Sequence, residues 1–154
     1  MASDKKQYLH YDGKNFNTFV HNGKPFKNVR SLISDKKGNV WLGGADGLWR
    51  FTDTSLTQLT NRFVGHILED SKGNIWTSSG RNSFKGWALS RYDRNSLTAK
   101  SPTATTIVDK PMTFGILEDN QGNIWFGDFD GVHRYDGKKI TDFKKSIEPQ
   151  LYKF

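Results

Sequence analysis

No cysteine occurs among the 154 residues, which excludes disulfide staples, thiolate metal sites and a cysteine nucleophile while leaving the compartment open. Hydrophobic residues make up only 34% of the chain, so its core cannot rest on aliphatic abundance. Nowhere is there an apolar run near the roughly 18 to 20 residues that cross a bilayer, and residues 1–6 are polar. Neither a transmembrane helix nor a signal peptide is expected in this chain. The four histidines, His10, His21, His66 and His133, are scattered without metal-ligand spacing, and no serine lies in a nucleophile elbow. The reading is therefore of a protein that is not an enzyme and carries no cofactor. The one pairing of a histidine with a nearby carboxylate that could imitate a lyase is His66 with Glu69.

What the chain does have is aromatics, 14% of its residues, including five tryptophans and eleven phenylalanines. Large rings are its core material. It also carries a net charge of +7, with lysines in turns and in pairs at 5–6, 138–139 and 144–145. A positive field favours acidic partners, although lysines in turns serve solubility first. Nucleic acid is disfavoured, because the basic residues do not form one stripe.

The sequence repeats itself. SDKKGNVW (34–41), EDSKGNIW (69–76) and EDNQGNIW (118–125) share D-x-x-G-N-[VI]-W, and each is followed by a second string, LWRF (48–51), LSRY (89–92) or VHRY (132–135). His10-Tyr11-Asp12-Gly13 matches Arg134-Tyr135-Asp136-Gly137, so the chain starts halfway through another copy. Asp35, Asp70 and Asp119 open each shared string, Gly38, Gly73 and Gly122 take its fourth position, and Trp41, Trp76 and Trp125 close it. Asp suits the first position of a type I turn, and Gly accepts the left-handed backbone at its end. The string is then a hairpin turn whose Trp fills the space between neighbouring sheets. A calcium loop would need a denser set of carboxylates.

Taking the first full copy, four strands follow, at 29–34, 39–43, 47–52 and 56–60, named A to D. Four short antiparallel strands in a unit of roughly 35 to 50 residues mark a propeller blade. The predicted fold is all-β, a β-propeller domain over 1–154. It comprises a partial blade at 8–20, blades at 28–60, 62–100 and 112–143, and a tail at 144–154, or about three and a half blades. Tail residues 147–154 could add one strand and close a four-bladed ring. The preferred alternative is a homodimer completing a larger ring, since an open repeat array leaves uncapped ends.

Apolar strand, D-x-x-G-N-[VI]-W, Gly-rich link and [LV]-x-R-[FY]-D together resemble the two-component regulator propeller repeat of bacterial sensor proteins, over residues 28–143 and in part over 8–20. The resemblance implies a periplasmic or extracellular module that binds a ligand or a protein, in some relatives an oligosaccharide. The chain shows no kinase region, so signalling by this chain itself is not expected.

In such blades the A–B and C–D turns emerge on one face, and the B–C and D–A links on the other, where ligands usually bind. Six extra residues separate Trp76 from Arg91 relative to Trp41 and Arg50, and eight separate Arg91 from Asp119 relative to Arg50 and Asp70. The sequence assigns these insertions to a B–C and a D–A link. The first, SSGRNSFKGW (78–87), offers Arg81, Asn82, Phe84, Lys85 and Trp87, a set suited to an acidic sugar or other small anion through charge and stacking. Arg30, Arg62, Asp46, Asp128 and Asp130 on neighbouring links complete the candidate ligand site. The second, SPTATT (101–106), reads as a linker. A protein partner is the alternative to a carbohydrate.

Overall fold

The computed structural model describes residues 9–11, 13–18, 20–80, 86–110 and 112–143. Three four-stranded antiparallel sheets succeed one another: β5 (Ser31–Ser34), β6 (Val40–Gly44), β7 (Gly47–Phe51) and β8 (Leu56–Thr60); β9 (Val64–Glu69), β10 (Ile75–Gly80), β11 (Trp87–Tyr92) and β12 (Ala104–Lys110); and β13 (Phe114–Glu118), β14 (Ile124–Asp128), β15 (Gly131–Tyr135) and β16 (Ile140–Asp142). In each sheet spatial order follows chain order. Ahead of them stand two pairs of short strands, β1 (Leu9–Tyr11) with β2 (Phe16–Thr18) and β3 (Val20–His21) with β4 (Lys24–Pro25). The chain is built of four-stranded propeller blades, with β1 and β2 at the place of the partial copy.

The shared string forms one closed hydrogen-bonded unit. Asp35 Oδ1 accepts the N–H groups of Lys37 and Asn39, and Oδ2 accepts Asn39 Nδ2 and Trp41 Nε1 at 2.8 and 2.9 Å. Asp70 and Asp119 repeat this arrangement with Trp76 and Trp125. Gly38, Gly73 and Gly122 have φ of 83°, 81° and 79°, the left-handed conformation that a side chain resists. Each motif Trp is thus anchored at its indole N–H, and the rings of Trp41 and Trp76 fill the gap to the next blade. Trp41 joins Val64, Ile67 and Ile75 of the following sheet, and Trp76 joins Ile124 and Phe126. Arg50, Arg91 and Arg134 lie over the three rings at 5.6, 5.7 and 5.8 Å, a cation–π contact made once per blade.

Neighbouring blades are also latched by acids. Glu69 Oε2 accepts the Lys36 N–H of the preceding blade at 2.8 Å, and Glu118 accepts Ser71 N–H and Oγ–H at 2.6 and 2.7 Å.

Two parts of the sequence reading need correction. Residues 104–106 are not linker, because Ala104, Thr105 and Thr106 pair with Tyr92, Arg91 and Ser90 at the start of β12. The middle sheet therefore runs to Lys110 rather than stopping at residue 100. The β-branched run Thr105, Thr106, Ile107 and Val108 favours a pleated strand, and it outweighs the loop-like Ser and Pro before it. Hence the second insertion is a C–D connection, residues 93–103, where the first blade uses only residues 52–55. It lies on the A–B/C–D face, opposite to the face expected, and folds into a one-turn 3₁₀ helix, Ser96–Thr98, whose Leu97 packs on the cluster around Trp41.

Candidate functional site

On the B–C/D–A face the described residues form a pocket of about 500 Å³, lined by His21, Lys24, Lys27, Asp46, Trp49 and Gln58 with Asn22 and Asn61 at its margin. Its wall comes from the hairpin β3–β4. Asn22 and Gly23 at the tip of this hairpin have φ of 49° and 70°, the left-handed pair that an Asn-Gly two-residue turn supplies. Folded back, the hairpin lays the His21 ring on Trp49 at 4.6 Å, while Phe26 meets the same indole edge-on at 5.4 Å. Trp49 is held from below, its Nε1 donating to the Asp46 carbonyl at 2.8 Å. Gln58 Nε2 donates to that carbonyl too. The Asp46 carboxylate accepts the Lys27 N–H, so the pocket's single acid is engaged by backbone, whereas the Lys24 and Lys27 side chains are exposed. A positively charged rim with amides from Asn22, Gln58 and Asn61 over an indole floor suits a polar anion.

A second polar cluster sits on the same face in the last blade. His133 is fully buried and stacks on Phe126 at 5.1 Å. Its Nε2 lies 2.8 Å from Asp128 Oδ2, off the line of a well-directed hydrogen bond, and Nδ1 meets Asp142 Oδ1. Lys110 Nζ reaches Asp128 Oδ2 at 3.0 Å across the inter-blade gap. Burial opposes ionisation of Asp128, but the His133 and Lys110 groups overcome it and hold the carboxyl at about 2. The repeats explain why the cluster is unique: Asp128 stands where the first blade has Gly44, and His133 where it has Trp49. A Cβ at Gly44 would come within 2.6 Å of the Asn28 carbonyl oxygen, so the first blade has no room for a carboxylate there.

Of the residues singled out by sequence, Asp46 lines the pocket, and Asp128 with the exposed Asp130 forms the B–C turn of the last blade, where Asp128 Oδ1 accepts the Asp130 N–H at 2.7 Å. Arg30 and Arg62 are exposed at the D–A links. Trp87 is half-buried, edge-on to Phe63 at 5.4 Å and 3.1 Å from the position of a Cβ on Gly65. It packs on its own blade. Arg81, Asn82, Phe84 and Lys85 lie outside the described residues, as does the tail from residue 144. The described candidates are not gathered into one cavity; Asp46 is joined instead by His21, Lys24, Lys27, Trp49 and Gln58, which sequence reasoning missed. The Asn22-Gly23 turn was the available signal. His66 and Glu69 do not make a catalytic pair: three residues apart on a strand they face opposite sides, and Glu69 is bonded to Lys36.

Among the described residues no helix is long and apolar enough to cross a membrane. Residues 23–46 and 106–130 match the two component regulator propeller family. No curated protein matches the chain. Among solved structures, two of the extracellular domain of BT4673 from B. thetaiotaomicron, described in one as a putative hybrid two component system and in the other as a putative one component system, are similar to it. The hybrid one has 16% identity and a TM-score of 0.69 over 88% of this chain and 19% of that one. The other has 18% identity and a TM-score of 0.67 over 84% and 18%. A catalytically inactive virginiamycin B lyase from Staphylococcus aureus with quinupristin is similar at 22% identity and a TM-score of 0.56, over 77% of this chain and 42% of the lyase. At these identities the likeness is one of fold, and the chain spans less than a fifth of the length of those extracellular-domain chains. The repeated strings build four-stranded propeller blades, and two stretches of them, residues 23–46 and 106–130, are similar to the two component regulator propeller family.

Proposed function

We propose that the chain is a non-catalytic binding module that takes an anionic ligand of acidic-glycan type in the pocket over Trp49. The observation that carries this reading is the charge balance of that pocket: two exposed lysines and three side-chain amides surround an opening whose one carboxylate already holds a backbone N–H. A periplasmic or extracellular location accords with the extracellular domains of similar fold. Calorimetric titration with oligosaccharides bearing uronic or sulfate groups, at two salt concentrations, tests it. Binding should weaken with salt and fall by about tenfold in Lys24→Ala/Lys27→Ala, the scale of a lost charge-assisted hydrogen bond. Equal affinity for neutral and acidic glycans would overturn it.

A second reading, assembly into a larger ring through a second copy, is favoured by the two ends of the blade array. Leu117 is 62% exposed although Ile33 and Leu68, its counterparts, pack into inter-blade clusters, and Leu32 is 63% exposed although Ile67 and Ile116 are covered.

A further inference from the structure

The opposite face holds a second concavity, about 270 Å³, between the first two complete blades. Its walls are Trp41, Ile75 and Leu97, and its charged lining is Lys36, Lys37, Arg50 and Arg94 against Asp35 and Glu69. Both acids are engaged inside the protein. Asp35 accepts four donors of its own turn, and Glu69 accepts the Lys36 N–H. Lys36 Nζ donates only to neutral groups, the carbonyls of Asp70 and Ser71 at 3.0 and 2.8 Å. The cavity therefore carries more cations than acids, and its acids have little left to offer them.

Comparison of the repeats identifies the cause. Blade arginines have an aspartate two positions later: Arg91 Nε pairs with Asp93 at 2.9 Å, and Arg134 acts electrostatically on Asp136. In the first blade that position is Thr52. Arg50 Nη1 donates to the Leu97 carbonyl at 2.8 Å, and its Nε, like those of Arg91 and Arg134, is buried without a directed hydrogen bond; what Arg50 alone lacks is the aspartate beside it. The same groove receives Arg94 and Leu97 from the C–D insertion, which the other two blades lack. A lost carboxylate and an added arginine thus meet at one place, where a buried cationic donor without a partner is costly.

We propose that this groove is an oxyanion site in which Arg50 Nε, Arg94 and Lys37 take a compact carboxylate, sulfate or phosphate group. The volume suits a single acidic sugar or an inorganic oxyanion and excludes a chain. The site is independent of the pocket over Trp49, which lies on the other face.

Titration of the ¹⁵N-labelled protein with sodium glucuronate, sulfate and phosphate, each against sodium chloride at equal ionic strength, tests the proposal. At least one oxyanion should shift Arg50 Nε–H and the Gly73 amide saturably, and the three arms separate carboxylate from sulfate and phosphate. Arg94→Ala/Lys37→Ala, both exposed positions, should weaken that binding by about tenfold with the folded spectrum retained. Thr52→Asp, which restores the carboxylate of the other blades, should abolish it. Lys24→Ala/Lys27→Ala should leave it unchanged. Shifts no larger than those from chloride for all three anions, binding that survives both the double variant and Thr52→Asp, or binding lost only with Lys24 and Lys27 would each overturn the site. Should Thr52→Asp fail to fold, the double variant decides.

Discussion

The aspartate that opens each repeat string acts as an acceptor for four donors, and this is a stability device with a pH signature. Burial works against ionisation of Asp35 and Asp70, yet the Trp and Asn donors hold both carboxyls below the ordinary value of 3.8; at Asp119 the Trp125 and Asn123 donors are the leading cause of the same shift. Removing the acceptor at the buried Asp70 strands Trp76 Nε1 and the Asn74 and Lys72 donors. Asp70→Ala should therefore cost about 3 kcal/mol, measured by urea unfolding. The pH dependence follows from the direction of the shifts. A carboxyl whose folded pKa is lowered contributes fully above its unfolded value of 3.8, and that contribution disappears as the pH falls through the folded value, about 2 for Asp128. Thermal melts should show stability falling between about pH 4 and pH 2, and Asp128→Asn should flatten that limb. An unchanged acid limb would mean that Asp128 gains nothing from its His133 and Lys110 contacts. These aspartates are readable from sequence, because a turn needs its Asp and Gly at set positions. The bond from each carboxylate to the indole N–H six residues on is not, since it depends on the hairpin closing.

At the scale of elements, strands following the D-x-x-G-N-[VI]-W turn were legible to within a residue or two, since a left-handed glycine and an anchored Trp leave little freedom in register. The first blade's last two strands were legible as well, 47–52 and 56–60 against Gly47–Phe51 and Leu56–Thr60, but other strands without such a turn were missed. β12 was hidden behind a Ser-Pro-Thr stretch, and β3–β4 fell largely between the partial blade and the first full one, left unassigned although Asn22-Gly23 announces a hairpin. The pocket was missed for a different reason: His21, Trp49 and Gln58 come from three strands and Asp46 from a turn, and they meet only when the hairpin folds over the sheet. That hairpin is the element on which binding depends. Gly23→Val puts a β-branched residue at φ of 70°, a strained placement. It should release the His21 contact and red-shift Trp49 emission. The melting temperature should fall only modestly, because the two inter-blade cores lie elsewhere and only the cluster of Phe26, Leu42 and Trp49 adjoins the hairpin. Loss of acidic-glycan binding in this variant, with the Arg50 groove unaffected in the same titration, would assign the two ligand sites to separate elements.

For the molecule as a whole, the repeats create a surface that each blade needs covered and that the ends of an array expose. Trp41 and Trp76 are 0% and 3% exposed because a following blade packs on them. Trp125 in the last blade instead stacks on Phe143 at 5.0 Å, with Arg134 over both rings, and Leu117, Val132 and Phe143 are 62%, 47% and 47% exposed. At the other end Leu32 repeats the imbalance. One apolar end meeting another of the same origin would re-create an inter-blade contact, which is the physical content of the homodimer proposal. One latch would be missing, however. The Glu that locks each blade to the turn before it is Ser34 in the first full blade, so a second copy presenting that blade would leave the Asn120 N–H without the acid that captures Lys36 and Ser71. Association through these ends should accordingly be weak and concentration-dependent. Multi-angle light scattering across a wide protein range is expected to show mass rising above that of one chain. Leu117→Glu should hold it at one chain, and Ser34→Glu, supplying the missing acid, should strengthen assembly by about tenfold. A mass that stays at one chain for the parent protein and for Ser34→Glu alike would show that these ends do not meet each other.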